Sequence, residues 1–261
     1  MRITVLGCGG SGGVPLAGAE PGGTWGACDP HNPKNRRRRS ALLVEWRGRN
    51  LLVDASPDLR LQLIDNQITR VDAVLITHAH ADHTHGLDEL RALSYCQGGA
   101  IPVFMDPVTH GSLTSRFDYA FASSHNNSQL YPALFQDHSL DYGQWDVLGL
   151  PVQAFAQRHG DILSSGFRFG DFAYSTDVVE LPAEAFARLK GIDTWIVDAL
   201  RFEPHATHTH FDQTLTWIDR VKPRQAFLTH LNQAIDYQAA LARCPSGVRP
   251  CHDGLVVDLP D

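Results

Sequence analysis

No apolar stretch in the 261 residues approaches the roughly 20 needed to cross a bilayer, which excludes a membrane span. The opening Met1-Arg2-Ile3-Thr4-Val5-Leu6-Gly7 is too short, and too soon broken by glycine, for the apolar core of a secretion signal. The five cysteines, Cys8, Cys28, Cys96, Cys244 and Cys251, are scattered and form no paired framework, so a reducing cytoplasm is expected. Positive charge is also scarce. Lys and Arg number 22 against 29 Asp and Glu, and the net charge of −7 argues against a nucleic-acid binder, whose contact face needs an excess of cations. The glycine run Gly7-Cys8-Gly9-Gly10-Ser11-Gly12-Gly13 is followed by no Gly-Lys-Ser/Thr, and it lacks the spaced glycines and following helix of a dinucleotide fingerprint. A tight turn passing close to a functional site is the plainer expectation. No repeat, low-complexity tail or composition shift marks a boundary, so residues 1–261 read as one domain.

Histidine, in contrast, is abundant, with 14 in the chain. Three of them, with one aspartate, fall in Thr77-His78-Ala79-His80-Ala81-Asp82-His83, directly after the apolar segment Val71 to Ile76. His78 and His80 are two apart, so an extended loop can aim both rings the same way, while the adjacent Asp82 and His83 point elsewhere. Imidazole nitrogen and carboxylate oxygen in this density suit zinc, manganese or iron.

The same arrangement recurs downstream. Four apolar strand-like segments each end on, or just before, a metal-ligand type: His78, His159, Asp177 and His230. Residues of this kind gathered on one edge of a sheet fit a cleft built from loops on a rigid scaffold. Helices are expected over Pro57 to Asn66, His83 to Leu93, Leu181 to Lys190, and from an N-cap at Asp212 through Val221. Hairpins are expected around Arg47-Gly48-Arg49-Asn50 and Gly170-Asp171.

Other features stay open between two readings. Pro15 to Asn35 reads as a long irregular loop, in which Cys28 and His31, with Cys251 and His252, either form a structural zinc site or are ordinary loop residues. Arg36 to Arg39 is either a solvated strand entry or a recognition element for an anionic substrate, with Arg39 nearest the following strand. In 107–144 the pattern weakens, and His110, His125 and His138 are expected at the surface or the core edge.

The H-x-H-x-D-H run, then a lone His, an Asp and a final His, resembles the metallo-β-lactamase superfamily. That resemblance implies an α/β fold, a four-layer αββα sandwich with mixed sheets. It implies two divalent ions, zinc or manganese with iron as a third candidate. His78, His80 and His159 would hold one, Asp82, His83 and His230 the other, with Asp177 bridging. Hydrolysis by a metal-bridging hydroxide follows, with Asp82 orienting the nucleophile or handling protons.

The opening Gly7 to Pro15, the Arg-rich loop end and His210-Phe211-Asp212 further resemble the PhnP-type phosphodiesterases. This implies a small cyclic or linear phosphodiester substrate, with His210 contacting the phosphate or protonating the leaving group. Only 17 residues separate His159 from Asp177, too few for the tRNA-gripping arm of RNase Z. A homodimer is left open. The alternatives are lactone or amide hydrolysis on the same fold, mononuclear-iron oxidation of a persulfide, or a binding protein that kept the fold.

Overall fold

The computed structural model describes residues 1–18, 20–122 and 132–259. Its strands are β1 (Arg2–Gly7), β2 (Ala41–Trp46), β3 (Arg49–Val53), β4 (Ala73–Leu75), β5 (Ile101–Met105), β6 (Phe135–Ser139), β7 (Gly143–Val147), β8 (Leu150–His159), β9 (Ile162–Phe169), β10 (Phe172–Ser175), β11 (Thr194–Asp198), β12 (Gln225–Thr229), β13 (Val248–Pro250) and β14 (Val256–Asp258). The helices are α1 (Leu59–Asp65), α2 (Ala81–Thr84), α3 (Arg91–Gln97), α4 (Pro107–Arg116), α5 (Ala183–Leu189), α6 (Phe211–Val221) and α7 (Tyr237–Arg243).

Alternation along the strands builds the layers, because successive side chains leave a strand on opposite faces. In β1 to β4, Ile3, Val5, Leu42, Val44, Leu51, Val53 and Leu75 face a central core. Their neighbours Leu6, Leu43, Leu52 and Val74 face outward, onto Leu59 and Leu63 of α1 and Leu113 of α4. The second half repeats this: Phe227 and Ile196 point inward, while Trp195, Val197 and Leu228 cover Trp217 and Ile218 of α6. Two seven-stranded sheets result, ordered β14-β1-β2-β3-β4-β5-β6 and β13-β12-β11-β10-β9-β8-β7. Both mix parallel and antiparallel neighbours. Helices lie outside each sheet, which makes the αββα sandwich expected from sequence.

Two helices depart from expectation. The helix expected over His83 to Leu93 is broken into α2, a 3-10 turn at Leu87–Leu90 and α3. Gly86 explains the break: its N–H donates to the Ala55 carbonyl at 2.9 Å, and a Cβ there would lie 1.9 Å from the Ser56 carbonyl oxygen. The chain docks here instead of continuing to coil. The N-cap of α6 is His210 rather than Asp212, which sits in the first turn and pairs with Arg243 at 2.9 Å. In 107–144, α4, β6 and β7 form where no clear periodicity pointed to them. His110 there pairs with Asp137 at 2.7 Å, and His138 stacks on Phe104; His125 lies outside the described residues. No helix among the described residues is long and apolar enough to cross a membrane.

Candidate metal centre

The parallel centre of each sheet delivers its strand ends to one pole. There β3 ends before Asp54, β8 at His159, β10 before Asp177, β11 at Asp198 and β12 before His230. Asp54, Asp177 and His230 all have left-handed backbone, with φ of +63°, +53° and +58°. Such a conformation costs a non-glycine residue about 1–2 kcal/mol, and the surrounding sheet must hold it. Three such turns at one pole mark where the fold accepts strain in order to aim side chains.

Three groups of donor atoms meet there. His78, His80, His159 and Asp177 form the first, Asp82, His83, Asp177 and His230 the second, and Asp198, His208 and His230 a smaller third, with all ligand atoms of each group within 4.8 Å of one another. His80 Nδ1 lies 2.9 Å from His78 Nε2 and 3.3 Å from His159 Nε2. Asp177 stands between the first two groups. Its Oδ1 is 3.8 Å from His78 Nε2 and 3.7 Å from His159 Nε2, while its Oδ2 is 3.1 Å from His83 Nε2 and 3.4 Å from His230 Nε2. Asp82 Oδ2 lies 3.3 Å from His83 Nε2 and 3.7 Å from His230 Nε2.

The outer nitrogens are anchored. His83 Nδ1 meets Asp54 Oδ2 at 2.7 Å, His159 Nδ1 donates to the Thr207 carbonyl at 2.7 Å, and Thr77 Oγ1 holds His78 Nδ1 at 3.0 Å. Fixing Nδ1 leaves each Nε2 directed at the cluster, the arrangement that orients imidazole ligands on a metal. Asp54 was not singled out from sequence. The available signal was a carboxylate closing the buried strand Leu51-Leu52-Val53.

The donor set fits divalent cations. His83 Nε2 and both ring nitrogens of His230 are buried without a hydrogen-bond partner among the described residues, a costly condition for polar atoms unless something binds them. The electrostatics agree. Burial pulls His83 down, but Asp177, Asp82 and Asp54 outweigh it and hold the ring well above its usual value. His230 is likewise opposed by burial, yet Asp177, Asp82 and Asp198 push it up to about 9. Burial works to raise Asp177, and His230, His83 and His78 together hold it well below the carboxylate range. His78 moves the other way, lowered by burial and by the charge of His83. Protons and carboxylates thus share one buried cluster that metal charge would neutralise.

A further histidine reaches this cluster, and it is His208. Its Nε2 lies 3.9 Å from Asp177 Oδ1, its ring stacks on His230 at 4.7 Å, and its Nδ1 bonds Asp198 Oδ2 at 2.9 Å. His210, expected in this place from sequence, caps α6, and among the described residues its ring makes no hydrogen bond, ion pair or ring contact. The reason is the buried Thr209 between them, whose N–H bonds Val178 and whose hydroxyl bonds Thr214, turning the chain away from the cleft into α6. Asp198 was also missed, although it too closes a buried apolar strand.

The arginine run divides. Arg39 pairs with Asp58 through Nε at 2.8 Å and Nη2 at 2.6 Å, so the fork expected to take substrate is largely engaged. Arg37 is buried, and donates to the carbonyls of Asn232 at 3.1 Å and Ile235 at 2.9 Å and to Asn35 Oδ1 at 3.2 Å. The buried Cys28 thiol joins this clasp, donating to the Ile235 carbonyl at 3.4 Å and facing Arg37 Nη1. His31 is exposed, Cys251 buried, and the His252 ring packs beside Tyr237. No metal-type group among the described residues contains any of these four. The glycine run passes the site as expected: Gly10 N–H bonds the Leu231 carbonyl at 3.3 Å, and a Cβ on Gly10 would sit 3.5 Å from the His230 ring.

Comparison with known proteins accords with this geometry. A family model for the beta-lactamase superfamily domain matches residues 49–231. A crystal structure of a diphosphatase from the PhnP family superposes with a TM-score of 0.89 at 30% identity, covering 99% of this chain and 98% of that one. Zinc-bound PqqB from Methylobacterium extorquens shares the fold, with a TM-score of 0.74 at 20% identity over 99% of this chain and 100% of its own. The octanoyltransferase of Porphyromonas gingivalis is 30% identical over 258 residues, 98% of this chain, which spans only 51% of that relative's length. The chain therefore belongs to the metallo-β-lactamase superfamily, in its PhnP-like branch.

Proposed function

We propose that residues 1–261 act as one dinuclear phosphohydrolase domain. His78, His80 and His159 would hold one ion, Asp82, His83 and His230 the other, with Asp177 shared. The observation that carries this reading is the division of the Asp177 carboxylate, Oδ1 toward one histidine group and Oδ2 toward the other. Two divalent cations, zinc or manganese with iron as a third candidate, would supply Lewis-acid charge and acidify a water to serve as nucleophile near neutral pH.

The chain's own groups do the rest. Asp82 is only partly buried and is placed to orient the nucleophile. His208, steered by Asp198 through Nδ1, presents Nε2 to the cleft, where it transfers a proton to the departing oxygen. That role passes to His208 from His210.

The substrate we assign is a small phosphodiester, cyclic or linear, or a diphosphate linkage. The PhnP-family diphosphatase at 30% identity supports phosphorus as the centre attacked. Between His159 and Asp177 the chain forms only a tight turn and strands β9 and β10, which supports a small molecule over tRNA. This chain spans only 51% of the Porphyromonas octanoyltransferase, so the acyl transfer in that protein's name is not carried over.

Turnover of bis-p-nitrophenyl phosphate by the metal-loaded protein tests the reading, with His80→Ala expected to abolish it. Failure with zinc, manganese, iron and cobalt alike would sink the phosphohydrolase. A single iron per chain by metal analysis would sink the dinuclear site.

A further inference from the structure

We propose that Arg116 selects substrates carrying a second phosphate beside the one under attack; this rests on the phosphohydrolase reading above. Arg116 is the last residue of α4, and its exposed guanidinium reaches across to the ligand loop, where Nη1 donates to the Ala79 carbonyl between His78 and His80. His80 is itself exposed, so Arg116 stands where the cluster opens to solvent.

Its position is not that of a simple clamp. The residues that follow already latch this end of α4 to the ligand segment. The Phe117 ring meets His85 edge-on at 5.6 Å, and the Tyr119 hydroxyl donates to Asp88. Arg38, Arg39 and Arg91 each have a carboxylate partner; among the described residues Arg116 has none, and its Nε and Nη2 make no hydrogen bond.

A free cation beside a centre built to hold cations is repulsive, and the fold gains nothing from it alone. An anion bound there removes the repulsion. A phosphodiester has one negative charge, which the metal centre takes; a second phosphate has Arg116, whose planar fork matches phosphate oxygens. In a chain of net charge −7, a guanidinium at the mouth with no carboxylate partner among the described residues is a selective device rather than a general anion trap.

The test compares a dinucleoside diphosphate with bis-p-nitrophenyl phosphate. Arg116→Ala should lower kcat/KM for the former about 10- to 100-fold, chiefly through KM, the size of a lost charge-assisted hydrogen bond. The loss on the latter should be at least about tenfold smaller. Arg116→Lys, which keeps the charge but not the fork, should fall between. Calorimetry on the zinc-loaded protein gives an independent readout: wild type should prefer inorganic diphosphate to orthophosphate, and Arg116→Ala should lose that preference. Equal losses on both esters with reduced metal content would make Arg116 a clamp on the ligand loop, and no loss on either would make it surface; both overturn the proposal. If wild type hydrolyses neither ester, the phosphohydrolase reading fails, and diphosphate preference alone decides the role of Arg116.

Discussion

The two histidine-rich loops, 78–83 and 205–210, look alike in sequence and behave differently in the fold. In the first, all three imidazoles and the aspartate join the cluster. In the second, only His208 reaches it; the His205 ring lies 5.3 Å from that of His208, and His210 starts a helix. The first loop follows a buried strand and enters α2 at Ala81, so local geometry sets the direction of its side chains, and the distant Asp54 fixes only the His83 ring. The second runs for twelve residues from the end of β11 to the start of α6. Its path is set by partners far away in sequence, among them His159 on the Thr207 carbonyl and Val178 on the Thr209 N–H. Where regular elements bracket a motif tightly, its spacing reports geometry; where they do not, tertiary hydrogen bonds decide which residue faces the site.

Substitutions can break or sharpen that contrast. The largest effect is expected at Asp177, which we propose is shared by the two ions: Asp177→Ala should cost roughly 1000-fold or more in kcat, with loss of bound metal by elemental analysis. In the second loop, His208→Ala should lower kcat by about 100-fold while leaving metal content intact. His210→Ala should change it by no more than about threefold. Reversed magnitudes would restore His210 to the site and erase the difference between the loops. Behind the first loop, Asp54→Asn should weaken metal affinity about 10- to 100-fold, because it removes the anchor of the His83 ring.

Protons sharpen the same point. His230 is pushed up to about 9 before any ion binds, above its usual value of about 6.5. It is therefore protonated at neutral pH, and metal loading must expel that proton. Apparent affinity should weaken as pH falls below about 9, by about tenfold per unit for that one proton. Calorimetry in buffers of different ionisation enthalpy would detect the released proton. For the metal-stripped protein, the stability contributed by this raised pKa is complete below pH about 6.5 and lost as pH rises toward about 9. Its Tm should fall over that window, and His230→Gln should flatten the curve. The smallest effect is expected at Arg39. Its pair with Asp58 is partly exposed, so Arg39→Ala should cost no more than about 1 kcal/mol in denaturant unfolding. A large rise in KM instead would return the substrate to the arginine run.

The sandwich was legible through the resemblance carried by the H-x-H-x-D-H run and its downstream partners, whereas short apolar segments such as Ile3 to Leu6 and Leu51 to Val53 by themselves read only as buried strands. The donor-type residues His78, His159, Asp177 and His230 were legible at the ends of apolar segments, and the structure gathers them with His80, Asp82 and His83. The break at Gly86 was not legible, because it depends on the Ser56 carbonyl, thirty residues earlier in the chain. Nor were the anchors Asp54 and Asp198. A carboxylate closing a strand looks the same in sequence whether it faces solvent or a buried imidazole.

Sequence by itself determined which residue types stand at the strand ends, and hence where a candidate metal centre lies. Only the tertiary structure decided the roles that depend on what crosses the space between elements. It divided Asp177 between two histidine groups, engaged Arg39 with Asp58, buried Arg37 beneath the N-terminal loop and chose His208 over His210. The physical reason is range: alternation and strand ends follow from neighbours a few residues apart, whereas a side chain's partner is chosen by the packing of the whole sandwich.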